Sequence, residues 1–200
     1  MKKRILVSTL LVFLVSSACG ADQAGGTEDC ADCHGADGLA AKSGIPHLNG
    51  QLLGYLEASI ANFRNKSRPG VAFGHDPAGI DAARMTDILK RYSATKAVRP
   101  PSAAINPSLV ARGETVYNNR CADCHPDNGR ESERDSPLMA AQNVDYLIKQ
   151  TALFVDGKRK FAFKMDDAFR GLSADDLTSV AHFFASQNQE PEPVKKKRRR

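Results

Sequence analysis

The 200-residue sequence lacks several features that would place it in a common class of protein. Its one long apolar stretch, residues 5–15, is shorter than the ~20 residues that a membrane-spanning helix needs. It contains no convincing run of alternating apolar and polar residues, which argues against a fold built on β-sheets. It also has no cluster of nucleophile and acid–base side chains tied to its motifs, so the sequence indicates a protein that is not itself an enzyme.

Positive charge is also scarce in the body of the chain, although the formal net charge is +5. Three basic residues lie at positions 2–4 and six at positions 195–200. Without these nine, 19 basic side chains face 23 acidic ones, a net charge of −4. An acidic body argues against nucleic-acid binding. Residues 189–200 are predicted to form a basic disordered tail, which either docks on an acidic partner or membrane or has no binding role.

The N-terminus is typical of an export signal. Basic residues at 2–4 precede the apolar stretch, and small residues at 16–18 form a cleavage zone, so residues 1–18 are predicted to be a signal peptide. We therefore expect an exported, periplasmic protein. Cys19 directly follows and is the odd one of five cysteines. It is either lipidated after cleavage, which would anchor the protein to a membrane, or it has no role.

One unit of sequence occurs twice. Cys30-Ala-Asp-Cys-His34 returns as Cys121-Ala-Asp-Cys-His125, a shift of 91 residues. The same shift relates five further pairs: Pro46 and Pro137, Gln51 and Gln142, Tyr55 and Tyr146, Phe63 and Phe154, and Arg68 and Arg159. The repeat predicts two domains, at residues 22–94 and 109–188, joined by a proline-punctuated linker at 95–108.

Both copies are predicted to be all-α, because their apolar residues recur at helical spacing. The predicted stripes are Leu52, Leu56, Ile60 and Phe63; Met85, Ile88, Leu89 and Tyr92; Val144, Leu147, Thr151 and Phe154; and Leu177, Val180, Ala181 and Phe184. Ser173-Ala-Asp-Asp176 resembles a capping box that opens the last of these helices. Each copy is small for an unaided core, which favours a cofactor that fills the interior.

Cys-x-x-Cys-His is the attachment signature of c-type haem. Two thiols one helical turn apart add to the two haem vinyl groups, and the adjacent histidine reaches the iron. Zinc-ribbon spacing is absent, and a thioredoxin-type pair would require an α/β pattern. The sequence therefore predicts two covalently bound haem c groups, held by Cys30 and Cys33 with His34, and by Cys121 and Cys124 with His125.

The sixth iron ligand is predicted to differ between the two copies. Met165 lies 40 residues after His125, in a loop before the final helix, and a thioether there favours electron transfer at higher potential. Aligning residues 72–78 with 162–168 puts His75 at the position of Met165. We expect His34/His75 ligation in the first copy, with Met85, His47 or an open site as the alternatives. His182 is expected to have a packing role or to be exposed.

These motifs resemble the dihaem class I cytochromes c, of the cytochrome c4 and flavocytochrome c sulfide dehydrogenase haem-subunit type. The resemblance covers most of residues 27–188 and includes Gly113 and Tyr117, which match the family's N-terminal helix contact. It implies tandem cytochrome c domains about a pseudo-twofold axis. Residues 22–29 lack the corresponding glycine–aromatic pair, which implies a short or reoriented opening helix in the first domain.

The expected function is electron transfer between redox proteins, such as a terminal oxidase, a reductase or a flavoprotein dehydrogenase. The alternative is a haem subunit of a complex like flavocytochrome c sulfide dehydrogenase, in which a flavoprotein oxidises the substrate. Histidine in place of methionine would make the first haem the lower-potential centre and direct electrons toward the second.

Overall fold

The computed structural model describes residues 28–70, 79–133, 136–162 and 164–189, and all its regular elements in these ranges are helices, as predicted. In chain order they are α1 (Glu28–His34), α2 (Leu53–Arg64), α3 (Ala82–Ala94), α4 (Pro107–Arg120), α5 (Pro126–Gly129), α6 (Val144–Val155), α7 (Met165–Phe169) and α8 (Ala174–Ser186). No helix in this part of the chain is long and apolar enough to cross a bilayer. The predicted signal peptide, Cys19, His75 and residues 190–200 of the predicted tail lie outside the described ranges.

The sequence repeat is a structural repeat. The N–H of Leu48 donates to Gly38 O at 2.8 Å, and 91 residues later the N–H of Met139 donates to Gly129 O at 2.8 Å. Both glycines have left-handed backbones, with φ of +86° and +84°. The segment after each Cys-x-x-Cys-His motif is therefore folded back on itself in the same way in both halves.

Each half also ties this segment to its last helix. Gly50 N donates to Tyr92 O in α3 at 2.9 Å, and Ala141 N donates to Phe184 O in α8 at 2.9 Å. Gly50 and Ala141 share a left-handed backbone, with φ of +63° and +52°. The repeat thus preserves a backbone conformation although the second copy has alanine where the first has glycine.

The core of the second half is built on the crossing of α4 and α8. Gly113 permits this crossing, because a Cβ at that position would overlap the Ser179 carbonyl oxygen. Tyr117, one turn later, stacks on Phe183 with ring centroids 4.9 Å apart and meets Phe184 edge-on at 5.5 Å. The contact implied by Gly113 and Tyr117 is therefore present.

The core of the first half lies between α2 and α3. Its fully buried members are Leu56, Met85, Ile88, Leu89 and Tyr92. The α3 stripe is therefore buried as predicted, whereas α2 buries only Leu56 from its predicted stripe and leaves the other three residues partly exposed. The short or reoriented opening helix expected at residues 22–29 lies mostly outside the described ranges.

The segment between α3 and α4, predicted as a linker at residues 95–108, is packed against both halves. Arg99 in this segment has no exposed surface and is the largest fully buried side chain among the described residues. Ser102 N donates to Ala185 O in α8 at 2.9 Å. The proline-punctuated stretch is therefore a fixed strap across the two halves.

Candidate haem attachment sites

The four motif cysteines lie in or directly after a helix in each half. Cys30 and Cys33 lie one turn apart in α1, and Cys121 and Cys124 follow the end of α4; none of these four forms a disulfide. In each pair the first cysteine is partly buried and the second is exposed. Before haem attachment, burial raises the pKa of the Cys121 thiol to about 12.

The two motif histidines have the same orientation in both halves. The Nδ1 of His34 lies 2.9 Å from Pro46 O, and the Nδ1 of His125 lies 3.0 Å from Pro137 O. A carbonyl oxygen only accepts hydrogen bonds, so Nδ1 carries the proton in each ring. In the neutral ring the lone pair is therefore on Nε2. Each imidazole thus has the tautomer of a metal ligand, with Nδ1 held by a main-chain carbonyl and Nε2 available to the metal.

The surroundings of His125 also suit an iron ligand. Burial lowers its pKa to about 4, against the opposing effect of the Pro137 hydrogen bond, so the ring is neutral at physiological pH. Phe184 meets the ring edge-on at a centroid distance of 5.9 Å. Within the described ranges no three His, Cys, Asp or Glu side chains cluster to hold a metal ion by themselves. The donor set fits an iron whose other ligands come from a porphyrin.

Met165 is the first residue of α7 rather than part of a loop, and its side chain is partly buried. A group of three aromatic rings flanks this segment: Phe161 stacks on Phe154 at 5.0 Å, and Phe169 meets both rings edge-on. The predicted sixth ligand of the second haem thus lies in a short helix bordered by aromatic side chains.

The candidates for the first haem are placed differently. His75 lies outside the described residues. Met85 is 5% exposed and packs inside α3 against Ile88 and Leu89. His47 Nδ1 accepts a hydrogen bond from Ala40 N at 3.0 Å. The structure therefore gives Met85 and His47 packing environments of their own.

His182 proves to be a packing residue. It is 8% exposed in α8, and its Nδ1 accepts a hydrogen bond from Asn106 N at 3.1 Å. This bond joins α8 to the residue that caps α4.

A buried tyrosine–arginine cluster lies between the two halves, and its role was not predicted from the sequence. Arg68 donates to Tyr146 Oη at 2.6 Å and to Gln150 Oε1 at 3.0 Å, across the domain boundary. Arg159, its repeat counterpart, donates to Gln150 Oε1 at 2.5 Å and to Tyr55. The pairing of these residues at the 91-residue shift was a signal that could have identified the cluster.

The cluster carries unused capacity for anions. Within the described structure, Arg68 Nε and Gln150 Nε2 are buried without a hydrogen-bond partner. Burial opposes ionisation of Tyr55, but the charges of Arg68 and Arg159 outweigh it and lower its pKa to about 7. Two guanidinium groups and two unpaired donors fit the carboxylates of haem, which are the anionic groups that a buried haem brings with it.

Two glutamines join the halves by equivalent contacts. Gln51 Nε2 donates to Leu138 O at 3.2 Å, and Leu138 N donates to Gln51 Oε1 at 2.8 Å. Gln142 makes the same pair of bonds with His47, at 3.0 and 2.8 Å. Because His47 and Leu138 are themselves 91 residues apart, the interface has the reciprocity of a pseudo-twofold axis, which the resemblance implied.

The comparisons with known proteins agree with this geometry. The cytochrome c family model matches residues 20–93 and 110–188. Cytochrome c4 of Azotobacter vinelandii is 29% identical over 148 residues, covering 65% of this chain and 69% of that protein. The thiosulfate dehydrogenase electron acceptor of Stutzerimonas stutzeri (strain A1501) is 30% identical over 173 residues, covering 80% and 79%.

The fold has a matching experimental structure. The reduced cytochrome c4 from Pseudomonas stutzeri superposes with a TM-score of 0.65 at 23% identity, covering 80% of this chain and 94% of that one. Tandem helical domains, duplicated attachment motifs and the two family matches lead to one conclusion. The chain belongs to the cytochrome c family and is a dihaem electron-transfer protein with two covalently bound haem c groups.

Proposed function

We propose that this protein passes electrons from a first haem ligated by His34 and His75 to a second haem ligated by His125 and Met165. The duplicated histidine–proline hydrogen bond carries this proposal, because it presents Nε2 of both motif histidines as a ligand. When bound, each haem supplies an iron that changes by one electron between its ferric and ferrous states. The protein's own residues hold, orient and shield that iron.

The assignment of His75 rests on the internal alignment and on the contacts of its competitors. Met85 fills the α3 core, so its use as a ligand would remove it from that core and leave a cavity. The Nδ1 atom of His47 already accepts a hydrogen bond from Ala40 N. His47 also directly follows Pro46, whose carbonyl oxygen bonds Nδ1 of His34, the nitrogen that faces away from Nε2. Both observations support His75 over these alternatives.

The decisive experiment is near-infrared magnetic circular dichroism of the oxidised holoprotein, combined with a spectroelectrochemical titration. We expect one methionine-ligated and one bis-histidine haem, with the bis-histidine haem at the lower potential. His75→Ala should abolish the bis-histidine band alone, and Met165→Ala should abolish the methionine band alone.

Met85→Leu serves as the matched control. It keeps the volume of the α3 core and removes the sulfur, so both bands should persist. A wild-type spectrum with two methionine-ligated haems at similar potentials, together with loss of one band in Met85→Leu, would assign the first site to Met85 and refute directed transfer.

A reduced-sulfur dehydrogenase is the donor that the comparisons favour. The relative from Stutzerimonas stutzeri that matches 80% of this chain is an electron acceptor of thiosulfate dehydrogenase. Stopped-flow mixing of the oxidised protein with a reduced thiosulfate dehydrogenase should give rapid haem reduction. Faster reduction by a flavoprotein sulfide dehydrogenase, with stable copurification, would support the subunit alternative instead.

Export to the periplasm is part of this proposal, and the signal-like residues 1–18 support it. Fractionation of cells that express the full chain should place the haem protein in the periplasm. If Cys19 is lipidated, wild-type protein will sediment with membranes and Cys19→Ser will not. Equal distribution of the two proteins in the soluble fraction would eliminate the lipid anchor.

A further inference from the structure

The segments that anchor the two motif histidines, His34 and His125, lie back to back. We call residues 46–51 and 137–142 the proximal loops. Each begins with the proline that accepts the hydrogen bond from a motif histidine, and each ends with the glutamine that bonds the other loop. A charged group between the two loops therefore lies next to the segments that anchor both iron ligands.

Arg99 occupies that position. Its Nε donates to Asn49 Oδ1 at 2.9 Å and its Nη2 donates to Asn49 O at 2.6 Å. On the other side, its Nη1 lies 3.5 Å from Ala140 O. Asn49 and Ala140 are repeat counterparts, each three residues after the proline of its loop. Arg99 thus contacts equivalent main-chain carbonyls in both halves, on the pseudo-twofold axis.

The guanidinium is buried and its contacts are neutral. Arg99 has no exposed surface, and the three acceptors named above are an amide oxygen and two main-chain carbonyls. Burial lowers its pKa to about 10, which still leaves it charged at physiological pH. A cation in this environment is weakly screened, so its field extends farther than that of a surface arginine.

We propose that Arg99 is a shared tuning residue that raises the reduction potentials of both haems from the pseudo-twofold axis. Reduction removes one positive charge from each iron centre, so a nearby fixed cation favours the reduced state. The inference rests on haem attachment at both motifs.

The linker itself helps to fix this charge. Asn49 Nδ2 donates to Val98 O at 3.0 Å and to Lys96 O at 3.3 Å, so the side chain that holds Arg99 also holds the strap from which it comes. Gln189 N, at the end of the second half, lies 3.4 Å from Arg99 O. The arginine and the residues just before it are consequently held by contacts from both halves.

The test is a spectroelectrochemical titration of holoprotein variants, with the haem content of each measured as the pyridine haemochrome. In Arg99→Gln we expect the reduction equilibrium of each haem to fall about tenfold, or about 59 mV for a one-electron couple. Arg99→Lys keeps the charge and should stay within about twofold of wild type at both haems. Two haems per chain in every variant would show that the underlying attachment is intact.

Arg112→Gln is the matched control. Arg112 is a half-exposed arginine paired with Asp176 at 2.8 Å, so its removal changes the net charge equally but in a solvated place. Both potentials should change less than about twofold. If Arg99→Gln does not accumulate as holoprotein, Asn49→Asp replaces it, because a carboxylate beside Arg99 neutralises the charge in place and should lower both potentials.

Three results would overturn the proposal. Unchanged potentials in folded Arg99→Gln would show that the charge does not reach the irons. A shift at one haem alone would make Arg99 a residue of one site. Equal shifts in Arg99→Gln and Arg99→Lys would assign the effect to geometry rather than to charge.

Discussion

At the residue scale, the motif residues could be found from the sequence and the buried polar residues could not. Cysteine and histidine at fixed spacing have few chemical uses, so Cys121 and His125 identify a site by themselves. Arg99 looks like an ordinary polar residue of a proline-rich connection, and only the folded chain shows that its partners come from both halves. Burial of a charge depends on tertiary packing, which local sequence does not encode.

Gly113 supports a prediction at this scale. Gly113→Ala should destabilise the second half by about 3 kcal/mol, because a Cβ would force α4 away from the carbonyl of Ser179 in α8. Gly157→Ala is the control: its φ is +67° and a Cβ would meet open space, so it should cost only about 1 kcal/mol. Denaturant unfolding of the two variant holoproteins measures both losses of stability, and amide exchange in α4 shows whether the loss arises at this crossing. Equal costs would contradict the packing argument.

At the element scale, the helices were predictable where one face is apolar and the ends carry caps. The start of α8 matches its prediction: Ser173 Oγ accepts from Asp176 N at 3.1 Å, and Asp176 Oδ2 accepts from Ser173 N at 2.9 Å. The short helix α7 was not predicted, because five residues are too few to show a period.

The cap of α8 predicts a modest stability change. Ser173→Ala should cost about 1 kcal/mol, because the N–H of Asp176 loses its acceptor at the start of the helix. Ser186→Ala at the other end is the control. Its hydroxyl donates to Phe183 O and accepts from Gln187 Nε2, both at the same helix end, so its loss should have little effect. Thermal unfolding of the two variants beside wild type makes the comparison. Similar losses in both would show that the cap is unimportant.

The same cap predicts a pH dependence. Hydrogen bonds from Ser173, followed by that from Arg112, hold the pKa of Asp176 at about 2, below its ordinary value near 4. The folded state therefore favours the ionised carboxylate, and its contribution is present above pH ~4 and lost as the pH falls toward ~2. Unfolding midpoints of wild type and Asp176→Asn should differ at pH 6 and converge near pH 2. A constant difference would refute the linkage.

At the scale of the whole molecule, the repeat was sufficient to predict two equivalent halves, but not how they meet. Gln51 and Gln142 were visible as a matched pair, yet their reciprocal bonds to Leu138 and His47 emerge only from the structure. A contact between halves involves residues about 90 positions apart, and one sequence offers no measure of such proximity.

These glutamines allow a test of docking. Gln51→Ala and Gln142→Ala should each cost about 1–3 kcal/mol of docking free energy, because buried N–H and C=O groups in the opposite loop lose their partners. Amide exchange at Leu138 should accelerate in the first variant and at His47 in the second. Gln187→Ala is the control, since the bonds of the Gln187 side chain to described residues all lie within its own half. Unaltered exchange in both loop variants would mean that other contacts dominate.

The back-to-back proximal loops also separate what the two redox centres share from what they can vary independently. Under the proposals above, a change between the loops acts on both centres together, whereas a change of one predicted sixth ligand, His75 or Met165, acts on one. A molecule built in this way would have one shared control over both reduction potentials and a separate control at each haem. Substitution of one sixth ligand would then reverse or abolish the preferred direction of electron transfer and leave the interface between the two halves unchanged.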